Sequence, residues 1–128
     1  MAFFVIQLQT YIIYSQATGQ DVNKIRTVVI DPGHGGKDPG ALGKHAKEKE
    51  VVLAISLKAG EYIKKHFPEV NVIYTRDKDV FIPLNERAKI ANEANADLFI
   101  SVHANWNSNA RAYGSETFVM GLHKTQGK

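Results

Sequence analysis

Three short apolar runs, separated by two stretches of helical periodicity, constrain this chain most. Ile25 to Ile30 is a short β-branched run, the pattern of a buried strand. Asp31-Pro32-Gly33 breaks it, and Pro39-Gly40 and Gly43 extend the break into a loop. From Glu48 onward Val51, Val52, Ile55, Ala59, Tyr62 and Ile63 recur at three- and four-residue spacing, which predicts a helix buried along that face. Lys58, Lys64 and Lys65 fall toward its polar side, and Pro68 ends it. Val70 to Tyr74 is a second strand, followed by a charged loop from Thr75 to Ile82. Pro83 suits the first turn of a second helix, where its missing N–H costs nothing. Leu84, Ala88 and Ala91 give that helix a narrow apolar stripe, with Ile90 beside it. Asp97 to Val102 is a third strand, and Glu116 to Met120 reads as a fourth. Such alternation predicts an α/β fold: a mostly parallel central sheet flanked by crossover helices.

A chain of 128 residues suffices for one domain with a real core and not for two. Its formal charge of +3 suits an anionic polymer but is too small to argue nucleic acid, and no basic run carries interleaved aromatics. The absence of cysteine excludes a disulfide framework, a zinc ribbon and a cysteine nucleophile. A metal would therefore have to be held by histidine and carboxylate. Ala2 to Ile13 is apolar, but Gln7 and Gln9 interrupt it, and it is too short for stable membrane insertion. With Ser15-Gln16-Ala17 as a small-residue region, residues 1–23 read as an N-terminal extension or the remnant of an export signal.

Ligands of open α/β sheets bind beyond the carboxyl ends of the strands. After the first strand comes Asp31-Pro32-Gly33-His34-Gly35-Gly36, and after the third comes His103-Ala104-Asn105. If those strands are neighbours, the two imidazoles can converge, and Glu48 at the start of the intervening helix can reach the same edge. Two histidines and a glutamate with an open fourth position form a catalytic zinc arrangement. Each residue also has a plainer role. His34 can decorate a glycine turn, Glu48 can favour the positive end of a helix dipole, and His103 can be a core histidine bonded to backbone. The glycines match neither the dinucleotide fingerprint nor the P-loop spacing.

The stretch Thr27-Val28-Val29-Ile30-Asp31-Pro32-Gly33-His34-Gly35-Gly36-Lys37-Asp38-Pro39-Gly40-Ala41 resembles the opening motif of the zinc-dependent N-acetylmuramoyl-L-alanine amidases. Glu48-Lys49-Glu50-Val51-Val52-Leu53-Ala54 resembles that family's second motif. Thr75-Arg76-Asp77 with Leu84, Arg87 and Ala91-Asn92 resembles its central segment. Asp97 to Asn105 resembles its third motif, and Gly114-Ser115-Glu116-Thr117-Phe118 follows in the family's order. The likeness runs from about Ile25 to about Leu122. It implies a zinc site at the carboxyl ends of the strands, with His34, Glu48 and His103 holding one Zn2+. Glu48 is preferred to Glu50 because the family's ligand directly precedes a lysine and the apolar helix. Asp31 and Asn105 are candidates for fixing the imidazole tautomers, and Asn105 is also a candidate substrate-binding residue. The implied reaction is metal-assisted hydrolysis of the amide joining N-acetylmuramic acid to L-alanine. The implied partner is peptidoglycan, met in the periplasm or outside the cell.

One departure bears on activity. The family's general acid/base glutamate lies near the end of its domain, after a further strand, and no residue before Lys128 matches it. Glu116 matches a different family position and reads as structural. The catalytic residue is therefore unknown, and 24–128 reads as the N-terminal portion of an amidase catalytic domain. The expectation is a weak or inactive enzyme, or a fragment that only binds peptidoglycan. Its incomplete sheet edge would favour self-association.

Overall fold

The computed structural model describes residues 24–107, 109, 111 and 113–119. The reading of residues 1–23 as an export signal lies outside them. The chain divides into two compact units, and among the described residues every regular element belongs to the one spanning Gln20–Trp106. Its elements run β1 (Thr27–Pro32), α1 (Glu48–His66), β2 (Asn71–Tyr74), α2 (Leu84–Glu93) and β3 (Leu98–Val102). The three strands form one parallel sheet in the order β2-β1-β3. The two strands that precede the histidines are therefore neighbours.

β1 begins and ends two residues later than the β-branched run suggests. Its pairing with β3 continues to Pro32 opposite Val102, so Asp31 and Pro32 belong to the strand. Val28 and Ile30 face α1 and form a core with Val72, against which Ala59, Ile63, Val70, Tyr74, Ile100 and Val102 pack. Val29 and Asp31 alternate to the other face. Right-handed crossovers in this strand order place α2 on that second face, and Arg87 of α2 does reach Asp31 there. Burial of each such Val or Ile side chain contributes about 1.5–3 kcal/mol.

The inner face of α1 differs from the expected one. Lys49, Val52, Ser56 and Gly60 are buried, whereas Val51, Ile55 and Tyr62 are exposed. Small residues at 56 and 60 let the helix lie close to the sheet. A Cβ on Gly60 would stand 2.6 Å from Cζ of Tyr74. The stripe expected on α2 is also overturned: Leu84 and Ala88 are exposed, and Arg87 is the buried residue. A buried ion pair, not an apolar row, decides which way that helix faces.

Leu98 and Phe99 of β3 are exposed, and among the described residues β3 pairs only with β1. Residues 115–119, expected to open a fourth strand at Glu116, carry no strand pairing, and Met120 lies outside the described residues. In the second unit, Asn109 and Arg111 donate backbone N–H groups to the side chains of Asn107 and Asn109. Among the described residues no helix is long and apolar enough to cross a membrane.

Candidate metal centre

The loop after β1 is built by left-handed backbone. The Gly33 N–H donates to the Val102 carbonyl at 3.0 Å, closing the sheet at its carboxyl edge. His34 (φ 60°), Gly35 (φ 121°) and Gly36 (φ 56°) then curl the chain back on itself. Paired hydrogen bonds between Gly35 and Asp38 close the turn. This turn sets the Asp38 carboxylate 2.9 Å from Nδ1 of His34. The left-handed conformation of a non-glycine residue costs of order 1 kcal/mol and persists only where its surroundings hold it. Here Nη2 of Arg87 donates to the His34 carbonyl at 2.7 Å.

Glu48 opens α1, and its side chain is only 5% exposed. The Ala41 N–H donates to Oε2 at 2.8 Å and the Ala104 N–H to Oε1 at 2.9 Å. Nε2 of His34 lies 3.2 Å from Oε2, and Nδ1 of His103 lies 3.1 Å from Oε1. Burial pushes this carboxyl up, but the Ala41 and Ala104 amides and the two imidazoles outweigh it, and its pKa lies below the ordinary value. Glu48 is therefore ionised at neutral pH. Glu50 accepts from the Lys47 N–H at 3.2 Å instead, which separates two glutamates that spacing alone leaves equivalent.

His103 follows β3 directly, and its ring meets that of His34 edge to face with centroids 5.0 Å apart. Two glycines make room for this convergence. A Cβ on Gly33 would lie 2.7 Å from both ring nitrogens of His103. A Cβ on Gly40 (φ 65°) would lie 2.6 Å from Cδ2 of His34 and 2.7 Å from Oε2 of Glu48. The glycines on either side of the loop are thus part of the site's shape.

The donor set suits a cation. Asp38 is held below the ordinary carboxylate value by its bond to His34 and by the Gly40 N–H. As an acceptor it fixes the proton of His34 on Nδ1, which leaves the Nε2 lone pair facing the Glu48 carboxylate. A proton on Nε2 or a metal ion between the two atoms satisfies both acceptors. One atom from each of His34, Glu48 and His103 lies within 4.8 Å of the other two. Zinc bonds of about 2.0–2.1 Å imply tetrahedral edges of about 3.3 Å. The two glutamate–histidine separations, 3.2 and 3.1 Å, are near that length but run to different oxygens of Glu48, Oε2 for His34 and Oε1 for His103. Two imidazoles and one carboxylate are a donor set of the kind that holds zinc.

Beside the centre lies an open groove of about 340 Å³ whose walls include Ala41, His45, Val51, Asn105 and Trp106. Asn105 thus flanks the groove, while the partner of His34 is Asp38 and not Asp31. Asp31 is buried on the far face of β1, where it accepts from Thr75 (2.5 Å), Arg87 (2.7 Å) and Ser101 (2.8 Å). Sequence reasoning missed Asp38. Its signal was a carboxylate four residues after His34 inside a glycine turn. It also missed the buried cations behind the loop. Arg76 donates to the carbonyls of Pro32, Gly33 and Lys49, and Lys49 ties Gly36 to Asp79.

The family model for N-acetylmuramoyl-L-alanine amidase matches residues 28–128. The chain is 45% identical over 96 residues to the N-acetylmuramoyl-L-alanine amidase AmiA of Escherichia coli K12, covering 74% of this chain and 32% of that protein. It is 38% identical over 120 residues to the amidase LytC of Bacillus subtilis 168, covering 92% and 24% respectively. Among solved structures, the catalytic domain of the amidase CwlV from Bacillus (Paenibacillus) polymyxa var. colistinus superposes with a TM-score of 0.64 at 41% identity. That match covers 69% of this chain and 50% of the solved one. The chain spans between 22% and 44% of the length of the curated relatives it matches.

Proposed function

The chain belongs to the N-acetylmuramoyl-L-alanine amidase family, and on that premise we propose that it carries the zinc centre of a peptidoglycan amidase. His34, Glu48 and His103 would hold one zinc ion, and the observation that carries this reading is the convergence of their donor atoms. When bound, zinc supplies a Lewis acid that polarises a carbonyl and acidifies water toward neutral pH. The bond acted on is the amide between the lactyl group of N-acetylmuramic acid and L-alanine. Water adds across it, leaving a carboxylate and a free amine. Such a substrate places the protein's work in the periplasm or outside the cell.

The chain's own residues supply order around that chemistry. Asp38 holds the His34 proton at Nδ1. The Ala41 and Ala104 amides keep Glu48 ionised and oriented. Asn105 offers an amide donor and acceptor at the groove, suited to a peptide backbone, beside the apolar walls of Ala41, Val51 and Ala104. Both carboxylates at the centre are engaged, Glu48 by the imidazoles and Asp38 by His34 and Gly40. Neither is assigned to proton transfer, which requires a carboxylate near the scissile bond.

The test pairs zinc stoichiometry with release of stem peptides from purified sacculi, beside a His103→Ala control. One zinc per chain, lost in the control, together with peptide release supports the whole reading. Zinc uptake and sedimentation with sacculi without release would reduce it to a peptidoglycan-binding module. A wild-type chain that takes up no zinc would overturn it.

A further inference from the structure

Behind the candidate centre lies a buried cation that touches neither the groove nor the three donor side chains. Arg87, on α2, is almost wholly buried. Its Nη1 donates to Asp31 at 2.7 Å and to the Pro32 carbonyl at 2.8 Å. Its Nη2 donates to the His34 carbonyl at 2.7 Å, and its Nε to the Ile82 carbonyl at 2.9 Å. One guanidinium thus grips the end of β1, the loop and the approach to α2. Asp31 anchors it while accepting from Thr75 after β2 and Ser101 of β3, so the anchor ties together the carboxyl ends of all three strands.

His34 is where this grip matters. Its backbone is left-handed (φ 60°), a conformation uncommon for residues with a Cβ and costing of order 1 kcal/mol. Its carbonyl is fixed by Arg87 and its ring by Asp38. Those two contacts orient Nε2 toward Glu48. If the carbonyl contact is lost, the loop can relax toward ordinary backbone angles and swing the imidazole off the donor cluster. Lysine cannot replace this grip, because one ammonium on a flexible stem lacks the planar fork that serves several acceptors at once.

We infer that Arg87 is a positioning residue for His34, holding the strained glycine loop so that the imidazole presents Nε2 to the metal. The inference rests on the zinc reading above. A wild-type chain without zinc sinks that reading, whereas a wild type and variant that bind alike sink only the role of Arg87. The experiment compares wild type, Arg87→Lys and the double variant Asp31→Asn/Arg87→Met. The double variant removes both charges of the buried pair, so it stays testable if the lysine variant does not fold. Zinc affinity is measured by competition with a chromophoric chelator, and coordination by the visible spectrum of the cobalt(II)-loaded chain. Metal-free circular dichroism confirms that each variant is folded. The expected result in a folded variant is zinc binding weaker by about 10- to 100-fold, the usual effect of losing a support behind a ligand, with a changed cobalt band. Unchanged affinity overturns the inference. So does weaker binding with an unchanged cobalt spectrum, which is what a loss of stability alone produces.

Discussion

Gly33→Ala separates the metal centre from the fold that carries it. Gly33 is not among the positive-φ glycines, so its backbone accepts alanine. Replacing glycine where the backbone allows it stabilises by about 0.4–1 kcal/mol through the unfolded chain. The added Cβ nevertheless stands 2.7 Å from both ring nitrogens of His103, and ordinary contact begins at 3.4 Å. Cε1 stands closer still, so the ring must retreat by at least about 0.7 Å, and plausible metal-site geometry tolerates only about 0.2 Å in bond length. With 45% of its side chain exposed, His103 can turn outward at little cost to the fold. The expected outcome is a metal-free melting temperature equal to or slightly above wild type, with zinc affinity reduced about 10- to 100-fold, or about 1.4–2.7 kcal/mol. Chelator competition at fixed pH, beside a metal-free thermal melt, reads both quantities. Wild-type zinc affinity in Gly33→Ala would refute the argument that Gly33 exists to admit the His103 ring.

Three other outcomes follow from the packing and the charges. Ser56→Ala removes a fully buried hydroxyl that has no partner among the described residues, so chemical denaturation should show a change between zero and about 1 kcal/mol of added stability. A loss above 1 kcal/mol would mean the hydroxyl is satisfied. Gly60→Ala brings a Cβ against the Tyr74 ring and should cost about 1–2 kcal/mol after its gain in helix propensity. Tyr74→Phe should recover part of that loss in a double-mutant cycle, and strict additivity would count against the contact. Asp97 accepts from the Arg26 and Thr27 N–H groups, which hold its carboxyl below the ordinary value. A depressed folded pKa contributes stability above the unfolded value, about 3.9, and loses it as pH falls through the folded one. The difference in melting temperature between wild type and Asp97→Asn should thus hold steady from pH 7 to 5 and shrink below pH 4. A difference constant down to pH 3 would show that the carboxylate's charge is irrelevant.

What was legible in the residues was whatever depends on near neighbours in the chain. The β-branched runs, the breaker cluster after Ile30 and the stop at Pro68 placed three strands and two helices in order. The resemblance then singled out His34, Glu48 and His103, whose donor atoms the fold brings within 4.8 Å of one another. Periodicity failed where a helix buries something other than its most apolar row. On α1 the inner line runs through Lys49, Ser56 and Gly60, because close approach to the sheet and a lysine bridge to Asp79 outweigh hydrophobic count. On α2 the inward residue is Arg87, because a buried carboxylate waits for it on β1.

The sequence by itself determined an alternating α/β chain with two histidines and a glutamate at places able to share one edge. Only the tertiary structure decided that β1 and β3 are neighbours and that Asp38 and not Asp31 fixes His34. The reason is physical. Periodicity and turn chemistry act over a few residues and leave marks in local spacing. Metal sites and buried ion pairs are set by distances across space, and His34 and His103 stand 69 residues apart along the chain (103 − 34).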